Sequence, residues 1–574
     1  MIDIMMKYLF TAWLCIVVTA NTGIVRVTAN SSAVSVYNHP YTHHDQFNQP
    51  VIYYIDPVNG NDHNSGNSQH GAFRSLEKIE TIVLHPGDQI VLASGQVYEG
   101  SIRLIHQSGT KDNPIRLTSL NWQTNRQETP ATINFKSRSN GILIRDCSFI
   151  DVSNISLTAD GYAGITETAD MRCAVQVTNT DQSTMQNIRL EQLLIKDVYY
   201  ENPGFKRGAE EVHSANGTQH YGWGIRVISK TAGQVVRNVV ISHCAITDVS
   251  HTGIKLTGSA KNIRDITILS NTIRYTGGPG IQMSGASSVY VAGNLVDHSG
   301  SNNDTRKWGR GSGLWTWGSA DVLIEKNKFL YANGPGDSDG AHIDYNCSNI
   351  IIQYNLSAYN AGGFCEILGN NYNCSYRYNI SVNDGYRIKG KNGAFQEGKT
   401  LWLSGYQGTN QKRKGPVNTY IYNNTIYTDA SLYPKLAFDN TSNTVLIANN
   451  IFYMVNPFTM VMGDQYKPDT RSDSLIKNMH MVNNLFLTID SWPKELLIHD
   501  PVSIHGDPDF KAAGGLNFRD YVPSNLSLIR NKGISLSAWK PAATALMYPL
   551  KMEKDILGNS IPELPSIGAI EPIN

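Results

Sequence analysis

A glycine-led phrase of alternating residues recurs between Tyr221 and Lys389, and it constrains the fold more than any other feature. Its copies are GIRVI from Gly224, GIKLT from Gly253, GIQMS from Gly280, GLWTW from Gly313, GAHID from Gly340, GFCEI from Gly363 and GYRIK from Gly385. Successive side chains of a strand point to opposite faces. The first and third residues after each glycine are mostly apolar, so we expect them to face a core. The predicted inward residues are Ile225, Val227, Ile254, Leu256, Ile281, Met283, Ala341, Ile343, Tyr386 and Ile388.

A series of asparagines supports the same reading of the chain. Its members, each in a similar frame after a pair of strands, are Asn271, Asn294, Asn327, Asn355, Asn379, Asn424, Asn450 and Asn484, at intervals of 23 to 45 residues. Asparagine tolerates a left-handed backbone and can bond to its copy on the next coil, which predicts a ladder at a tight corner. Repeated units that cannot bury their apolar faces alone stack into a continuous core. We therefore predict an all-β fold, a right-handed parallel β-helix.

Composition is consistent with one long, exported domain. The chain has 574 residues, 49 glycines, 17% charged residues and no formal net charge. A solenoid of this length need not divide into several cores. Zero net charge gives no electrostatic footprint for nucleic acid, so we expect no nucleic-acid partner. We also expect a monomeric protein.

The chain divides into four predicted segments. They are a signal peptide at 1–20 ending in Val18-Thr19-Ala20, a disordered leader at 21–50, a β-helix catalytic domain at 51–485 and a C-terminal tail at 486–574 packed on the solenoid. A short helix near Leu76–Ile82 is expected to cap the open end of the core. The signal peptide at 1–20 predicts a secreted or periplasmic protein, and no later stretch is apolar enough to span a membrane.

Two stretches resemble a known group of enzymes. The opening segment carries GND…SG and GDQI…G elements, and DGAHIDYNCSNIIIQYN is followed by GGFCEI. Over residues 51–480 the chain resembles secreted bacterial β-helix enzymes that act on polysaccharides, and it looks most like proteins around glycoside hydrolase family 141. The resemblance implies hydrolysis of a plant or algal polysaccharide or oligosaccharide. Lyases and epimerases share this solenoid, so the fold alone does not fix the chemistry.

The alternation places two columns of side chains on the outer face of the repeated strands. One column contains Arg226, Lys255, Gln282, Trp315, His342, Phe364 and Arg387, and its neighbour contains Thr257, Ser284, Trp317, Asp344, Glu366 and Lys389. Parallel strands lie about 4.8 Å apart, so residues of one column are close in space. Function is therefore expected on this outer face.

The outer columns bring Asp344 and Glu366 onto adjacent coils. Paired carboxylates supply the acid and the base or nucleophile of a glycosidase, and we predict this role for them, with His342, Arg387 and Lys389 beside them. Asp337 and Asp339, in the turn GPGDSDG, are further candidates for the second carboxylate and for substrate binding. A simple charge ladder on a solvated sheet is the alternative reading of these acids.

A sugar-binding surface is predicted around the same columns. Trp315 and Trp317 are expected to be exposed and to stack on sugar rings, and Trp402 has the same outward parity. A loop over 301–312 covering the tryptophans is the alternative. The predicted substrate-binding residues are Arg226, Lys255, Gln282, Trp315, Trp317, Asp337, Asp339 and Trp402. The basic members favour a substrate that carries carboxylate or sulfate groups.

Three functions fit this face. A glycoside hydrolase would need no metal or cofactor. A polysaccharide lyase would use Lys389 or Arg387 as the base that abstracts the C5 proton of a uronate, with Asp344 and Glu366 holding a calcium-type cation. A glycan-binding solenoid without catalysis is the third. No cysteine spacing resembles a metal knuckle, and we predict no protein metal site for the hydrolase.

Overall fold

The computed structural model describes residues 49–162, 171–213, 220–408, 410–461, 477–494, 496–536 and 549–573. The predicted signal peptide at 1–20 and all but the last two residues of the leader at 21–50 lie outside them. Among the described residues, no helix has the length and hydropathy needed to cross a lipid bilayer.

The described chain winds through three long parallel sheets, and each coil contributes one strand to each sheet in turn. Sheet 1 contains Ile52–Ile55, Gln89–Ala93, Ile115–Leu120, Ile150–Ser153, Thr184–Glu191, Val235–Ser242, Ile263–Leu269, Ala286–Ala292, Ala320–Glu325, Ser348–Gln353, Tyr372–Arg377, Val417–Tyr422, Asn443–Ala448 and Lys477–Val482. Sheet 2 contains Val97–Glu99, Ala131–Asn134, Ile155–Asp160, Leu194–Tyr199, Ala245–Val249, Thr272–Arg274, Leu295–Asp297, Lys328–Leu330, Leu356–Ala358, Ile380–Val382, Thr425–Thr428, Ile451–Met454, Leu485–Phe486 and Ile504–His505. Sheet 3 contains Ile102–Ile105, Asn140–Arg145, Arg172–Thr178, Gly222–Ser229, Ile254–Gly258, Ile281–Ser284, Leu314–Trp317, Ala341–Ile343, Gly363–Ile367, Lys399–Leu403, Lys435–Phe438 and Thr459–Met460. This is the predicted parallel β-helix.

Four short helices accompany the strands in the described chain. They are the 3-10 helices Leu76–Thr81, Ala209–His213 and Phe518–Tyr521 and the α-helix Leu526–Ile529. Leu76 and Ile79 of the first helix are buried in the main core, as expected of a cap. Tyr521 and Ile529, in the tail, pack in a second apolar cluster with Tyr422 and Leu446 of sheet 1. The tail therefore covers part of the outer face of the solenoid.

The asparagine series forms a continuous ladder at the corner between sheets 1 and 2. Asn327 is typical: its backbone N–H and its Nδ2 both donate to Asn355 Oδ1, at 2.9 and 3.0 Å. The same pair of bonds joins each of the eight asparagines to the next, and Asp500 accepts them from Asn484 at the end. The ladder is confirmed. Its buried amides fix the vertical alignment of the coils.

The expected left-handed backbone falls one residue earlier than the ladder itself. The residue before Asn355 is Tyr354, with φ of 56°, and the residue before Asn327 is Lys326, with φ of 57°. The asparagines are thus selected for their side-chain bonds, because an amide supplies both the donor and the acceptor that a buried corner requires. The sharp turn is made by their neighbours.

The core follows the predicted alternation for all but the last copy of the phrase. Eight of the ten predicted inward residues are buried in one continuous apolar cluster. Tyr386 and Ile388 are instead 40% and 52% exposed, so their assignment is wrong. The GYRIK copy lies in a loop, and the strand of that coil is Lys399–Leu403, with Leu401 and Leu403 facing the core. A glycine with apolar residues one and three positions after it thus also occurs in an inserted loop.

Long loops collect at the corner between sheets 2 and 3. The connections at 298–313, 331–340 and 383–398, and the described residues 200–213 and 220–221 of a fourth, all precede strands of sheet 3. They rise over the outer face of that sheet, and outward residues such as Arg226, Lys255 and Gln282 are buried. The predicted functional face is therefore enclosed instead of forming an open groove.

The ladder generates a stability prediction. Asn355→Ala leaves the backbone N–H and side-chain amide of Asn327 without their acceptor in a buried corner, which should lower the free energy of unfolding by about 2–4 kcal/mol. Ser287→Ala, at a half-buried position of sheet 1 whose hydroxyl donates to the Lys261 carbonyl oxygen, is the control and should change stability by no more than about 1 kcal/mol. Chemical denaturation measures both values. Equal stability of the two variants would show that the ladder is not a major stabilising element.

Candidate active site

Strand pairing tests the predicted columns directly. Arg226 pairs with Lys255, and the same column continues through Gln282, Trp315 and His342. At the next coil, Ile343 pairs with Ile367, so Glu366 stands beside His342. Phe364, placed in this column by the sequence, faces the core. The column then passes from Glu366 to Trp402 and Ala437.

This register corrects the predicted pairing of Asp344 with Glu366. Asp344 follows the strand Ala341–Ile343, and Glu366 belongs to the column of His342. Relative to the prediction, the pairing is shifted, so that Glu366 and not Phe364 lies opposite His342. The shift occurs at a three-residue strand, where the spacing of glycines does not determine which residues pair. The two carboxylates are therefore not stacked neighbours of one column.

Arg387 and Lys389 also leave the predicted columns, because GYRIK lies in the loop at 383–398. The Arg387 guanidinium donates to the carbonyl oxygens of Gly334 and Asp337, at 3.1 and 2.7 Å, and to Gln396. Lys389 is exposed in the same loop. Arg387 thus braces the loop that carries Asp337.

Asp337 is held as a carboxylate by a buried ion pair. Arg310 donates through Nε to Oδ2 at 2.6 Å and through Nη2 to Oδ1 at 3.2 Å. Burial opposes ionisation, but the Arg310 charge and hydrogen bonds, with His342 and Arg387, outweigh it and keep the pKa of Asp337 below its ordinary value. This bidentate geometry leaves one lone pair of each oxygen available for chemistry.

The backbone around Asp337 is left-handed at two consecutive residues. Asp337 and Ser338 have φ of 47° and 73°, a region that non-glycine residues seldom occupy. The conformation is held by a 2.6 Å bond from the Asp337 N–H to Gln396 Oε1 and by the Arg387 bond to its carbonyl. The same backbone occurs at ordinary corners of the solenoid, such as Lys326 and Tyr354, so the hydrogen bonds to Gln396 and Arg387 are what fix the turn that carries Asp337.

Asp344 has the opposite electrostatic setting. Burial, reinforced by the negative charge of Asp337, raises the pKa of Asp344 to about 6, although His342 acts in the other direction. Its Oδ1 accepts the N–H of Tyr345 at 2.7 Å, and its side chain keeps 7% of its surface exposed. Asp344 therefore holds a proton over a higher pH range than Asp337.

A second acidic group lies beside this pair. Asp339, His342 and Glu366 each place one ligand-type atom within 4.8 Å of the others, and these three residues could hold a metal ion. His342 Nδ1 lies 2.8 Å from Ser312 Oγ and 3.6 Å from Asp339 Oδ2. Burial and the nearby Asp339 raise the pKa of Glu366 well above its ordinary value.

The tryptophans separate into two roles. Trp315, predicted to be exposed, is only 4% exposed and packs in a buried cluster with Trp223 and Trp308, so its assignment as an open platform is wrong. The covering loop at 301–312, the alternative reading, supplies Trp308. Trp402 is also buried. Trp317 is 41% exposed, and its ring lies 5.3 Å from that of Tyr345, next to Asp344.

The predicted basic lining is likewise enclosed. The Arg226 guanidinium and the Lys255 ammonium lie 4.3 and 5.0 Å from the centre of the Trp223 ring. Burial, helped by the Arg226 charge, lowers the pKa of Lys255 to about 7. Gln282 is buried on the next coil. These residues therefore form a floor of stacked aromatic and cationic groups under the loops.

The loops also enclose a cavity of about 530 Å³ next to the Asp337 loop. Its lining includes Lys307, Gly334, Pro335, Tyr386 and Arg387. Arg387 connects this cavity to the Asp337 loop, because its Nη1 donates to the main-chain carbonyl oxygens of both Gly334 and Asp337. Arg310, Tyr345, Trp308 and Ser312 are site residues that sequence reasoning missed, because they lie in loops or beyond the strand pattern.

Comparisons with known proteins agree with this architecture. Residues 223–408 match the family described as "Right handed beta helix region". The chain is 25% identical to a lacto-N-biosidase of Bifidobacterium longum subsp. longum, in an alignment covering 70% of this chain and 29% of that protein. The chain thus spans less than a third of that relative's length.

Solved structures extend the comparison. The native and selenomethionine crystal structures of GH136 lacto-N-biosidase from Eubacterium ramulus align with TM-scores of 0.50 and identities of 20% and 21%. They cover 71% and 72% of this chain, and 68% of each crystallised chain is covered. The fold is therefore a right-handed parallel β-helix. The predicted resemblance to glycoside hydrolase family 141 is not confirmed by these matches.

The tryptophan analysis generates a paired prediction. Trp315→Ala removes a buried ring and should lower the free energy of unfolding by about 3–5 kcal/mol. Trp317→Ala should change it by no more than about 1 kcal/mol and should raise KM for an oligosaccharide substrate roughly tenfold, because an exposed sugar-stacking ring is lost. Thermal unfolding and steady-state kinetics measure the two effects. A large stability loss with unchanged KM for Trp317→Ala would contradict the assignment.

Proposed function

We propose that the protein is a glycoside hydrolase that acts on an oligosaccharide, with Asp337 and Asp344 as its two working carboxylates. One observation carries the proposal: two neighbouring carboxylates have environments that move their pKa values in opposite directions. Glycosidases need one carboxyl group that is protonated and one that is ionised. The lacto-N-biosidase relative supports the same class of reaction. We also propose that the enzyme is exported, because residues 1–20 have the pattern of a signal peptide.

In this mechanism Asp344 is the general acid. Its carboxyl proton passes to the glycosidic oxygen as the bond to the anomeric carbon breaks, which leaves Asp344 as a carboxylate. Asp337, fixed by Arg310, stabilises the positive charge that develops on the sugar ring. It then acts either by direct attack on the anomeric carbon or by deprotonating the attacking water, two routes that the anomeric configuration of the product distinguishes.

The other predicted residues take supporting positions in this proposal. Trp317 and Tyr345 offer an open aromatic surface beside Asp344 for a sugar ring. His342 is near enough to both acids to lower the pKa of Asp337 and of Asp344. Glu366 is more buried than either acid and is grouped with Asp339, so it is not the catalytic partner in this scheme.

The lyase alternative loses support from the loop position of its bases. Arg387 already donates to Gly334, Asp337 and Gln396, and Lys389 is exposed outside the columns. Neither residue is placed by a strand beside the acids that a cation-assisted elimination would use. A plant or algal polysaccharide stays a prediction, and an aryl lacto-N-bioside becomes the first substrate to test because of the relatives' names.

Amide substitutions test the catalytic pair. Asp337→Asn and Asp344→Asn keep side-chain shape and remove the acid, and each should reduce kcat by about 10²–10⁴-fold. Release of the aryl group and of reducing ends measures turnover. Asp265→Asn, on the exposed face of sheet 1, is the control and should retain full activity.

The same assay includes the competing outcomes. Full activity in both amide variants would place the active site elsewhere. An unsaturated uronate product from a uronic-acid polymer, abolished by Lys389→Ala, would establish the lyase. Binding of oligosaccharides without any turnover would establish the glycan-binding alternative.

The pH profile provides an independent prediction. Activity should fall as the pH rises through about 6, because Asp344 loses the proton that it must donate. On the acid side, activity should persist below the ordinary pKa of an aspartate, since Arg310 keeps Asp337 ionised. In Arg310→Gln the acidic limb of kcat/KM should move to higher pH while the alkaline limb moves less. If the acidic limb did not move, the ionisation that it reports would not be that of Asp337.

A further inference from the structure

Asp339, His342 and Glu366 supply no general acid, base or nucleophile in the proposed hydrolysis. His342 and Glu366 stand side by side on adjacent strands of sheet 3, and Asp339 enters from the loop that precedes the first of these strands. One nitrogen and two carboxylate oxygens lie within 4.8 Å of one another. That spread is compatible with three ligands around one ion, whose bonds are about 2.0–2.2 Å long for zinc.

Asp339 makes the strongest independent case for a missing ligand. Its side chain is 1% exposed, and within the described chain neither of its carboxylate oxygens accepts an N–H or hydroxyl group; its side-chain contact is with another acid, Glu366. His342 Nδ1 lies 3.6 Å from Asp339 Oδ2, beyond hydrogen-bond distance. Two buried acids in contact need a shared proton or a cation, and buried charges are normally paired or bound to a metal.

A second cluster of the same composition type shows what a satisfied site looks like. His106, Asp146 and Asp181 also lie within 4.8 Å of one another. There, Asp146 accepts the N–H groups of Thr180 and Asp181 on Oδ1 and the Thr180 hydroxyl on Oδ2. Its oxygens are therefore occupied by the protein itself. The contrast with Asp339 singles out the buried cluster.

We propose that Asp339, His342 and Glu366 bind a divalent transition-metal cation of the Zn²⁺ type. One imidazole and two carboxylates form a mixed nitrogen and oxygen donor set that suits zinc and its neighbours, whereas calcium and magnesium prefer oxygen ligands alone. A single proton shared by the carboxylates would bond to one oxygen of each and leave the others unpaired. A cation can draw on both carboxylates and the imidazole together.

The site assigns the cation a positioning role. It would tie the loop bearing Asp339 to the strands Ala341–Ile343 and Gly363–Ile367, whose pairing sets where Asp344 leaves the sheet. Ser312 supports the same arrangement, because its Oγ accepts the Asp339 N–H at 3.0 Å and lies 2.8 Å from His342 Nδ1.

Metal uptake by the wild-type protein is the first test. The full chain is stripped with a chelator, dialysed and titrated with Zn²⁺, Mn²⁺ and Ca²⁺ separately. We expect one Zn²⁺ per chain, weaker Ca²⁺ binding and a higher thermal midpoint with Zn²⁺. X-ray absorption of the zinc form should show one imidazole with oxygen ligands at about 2.0–2.2 Å. No stoichiometric Zn²⁺ binding would overturn the proposal and leave a shared proton as the compensating group.

Matched variants locate the ion. Asp339→Asn and Glu366→Gln should each weaken Zn²⁺ binding by at least about 100-fold, since each removes a direct ligand. Asp181→Asn, in the satisfied surface cluster, should leave binding unchanged. Loss of binding only in Asp181→Asn would move the ion to the surface and overturn the assignment. If the buried variants fail to fold, His106→Ala decides between the clusters: a zinc form that still shows one imidazole in its absorption spectrum supports the buried site, and loss of the imidazole signal overturns it.

These measurements are made without substrate, so they are independent of the proposed hydrolysis. An inactive protein that binds Zn²⁺ through Asp339 and Glu366 would support the metal site and contradict the enzyme. An active protein with no Zn²⁺ site would do the reverse.

Discussion

The vertical alignment of the coils rests on one buried contact repeated along the solenoid, the pair of hydrogen bonds from each ladder asparagine to the next. An amide side chain is suited to this position because it accepts two N–H groups on one oxygen and donates to the coil on its other side. The positive-φ residue just before each asparagine makes the turn. Every outward column of sheet 3 inherits its spacing from this corner, including the stretch from Arg226 to His342.

At the candidate site, several negatively charged side chains lie close together under the loops. Asp337, Asp339, Asp344 and Glu366 are all buried, and like charges that close cannot all ionise without compensation. Arg310 compensates the charge of Asp337 through a bidentate pair. Asp344 and Glu366 have no such arginine partner within the described chain, and burial and the charge of Asp337 raise their pKa values. The chain therefore divides one acidic cluster into groups with different protonation. That division, and no single residue, is what acid and base chemistry requires.

The sequence was a reliable guide wherever period-two alternation or the asparagine spacing applied. Ile281 and Met283 are buried, the ladder is present, and the column from Arg226 to His342 has the predicted register. Prediction failed where a feature depended on a loop. The strand Ala341–Ile343 is too short for glycine spacing to fix its partner, so Glu366 was placed one column away.

Two further errors share that cause. Alternation tells which face of the sheet Trp315 occupies, but burial of that face depends on residues such as Trp308 that arrive from a long connection. GYRIK has the composition of a strand but lies in an insertion of sixteen residues between two strands, at 383–398. Arg310 carries no strand pattern at all, and its pairing with Asp337 joins loops of successive coils. Such contacts are set by three-dimensional packing of connections, which local periodicity does not encode.

The long connections between sheets 2 and 3 explain how an otherwise regular solenoid can acquire a specific site. The entropy of closing a loop grows slowly with its length, so added residues between sheets 2 and 3 cost little while the ladder at the other corner holds the coils. The loops at 298–313, 331–340 and 383–398 can then exchange contacts across coils, as Arg387 does with Gly334 and Asp337. The strands of sheet 3 hold their outward side chains at a fixed spacing, and the loops contribute the left-handed turn that carries Asp337. Chemistry can therefore change by loop substitution while the floor of Trp223, Arg226 and Lys255 keeps its stacking.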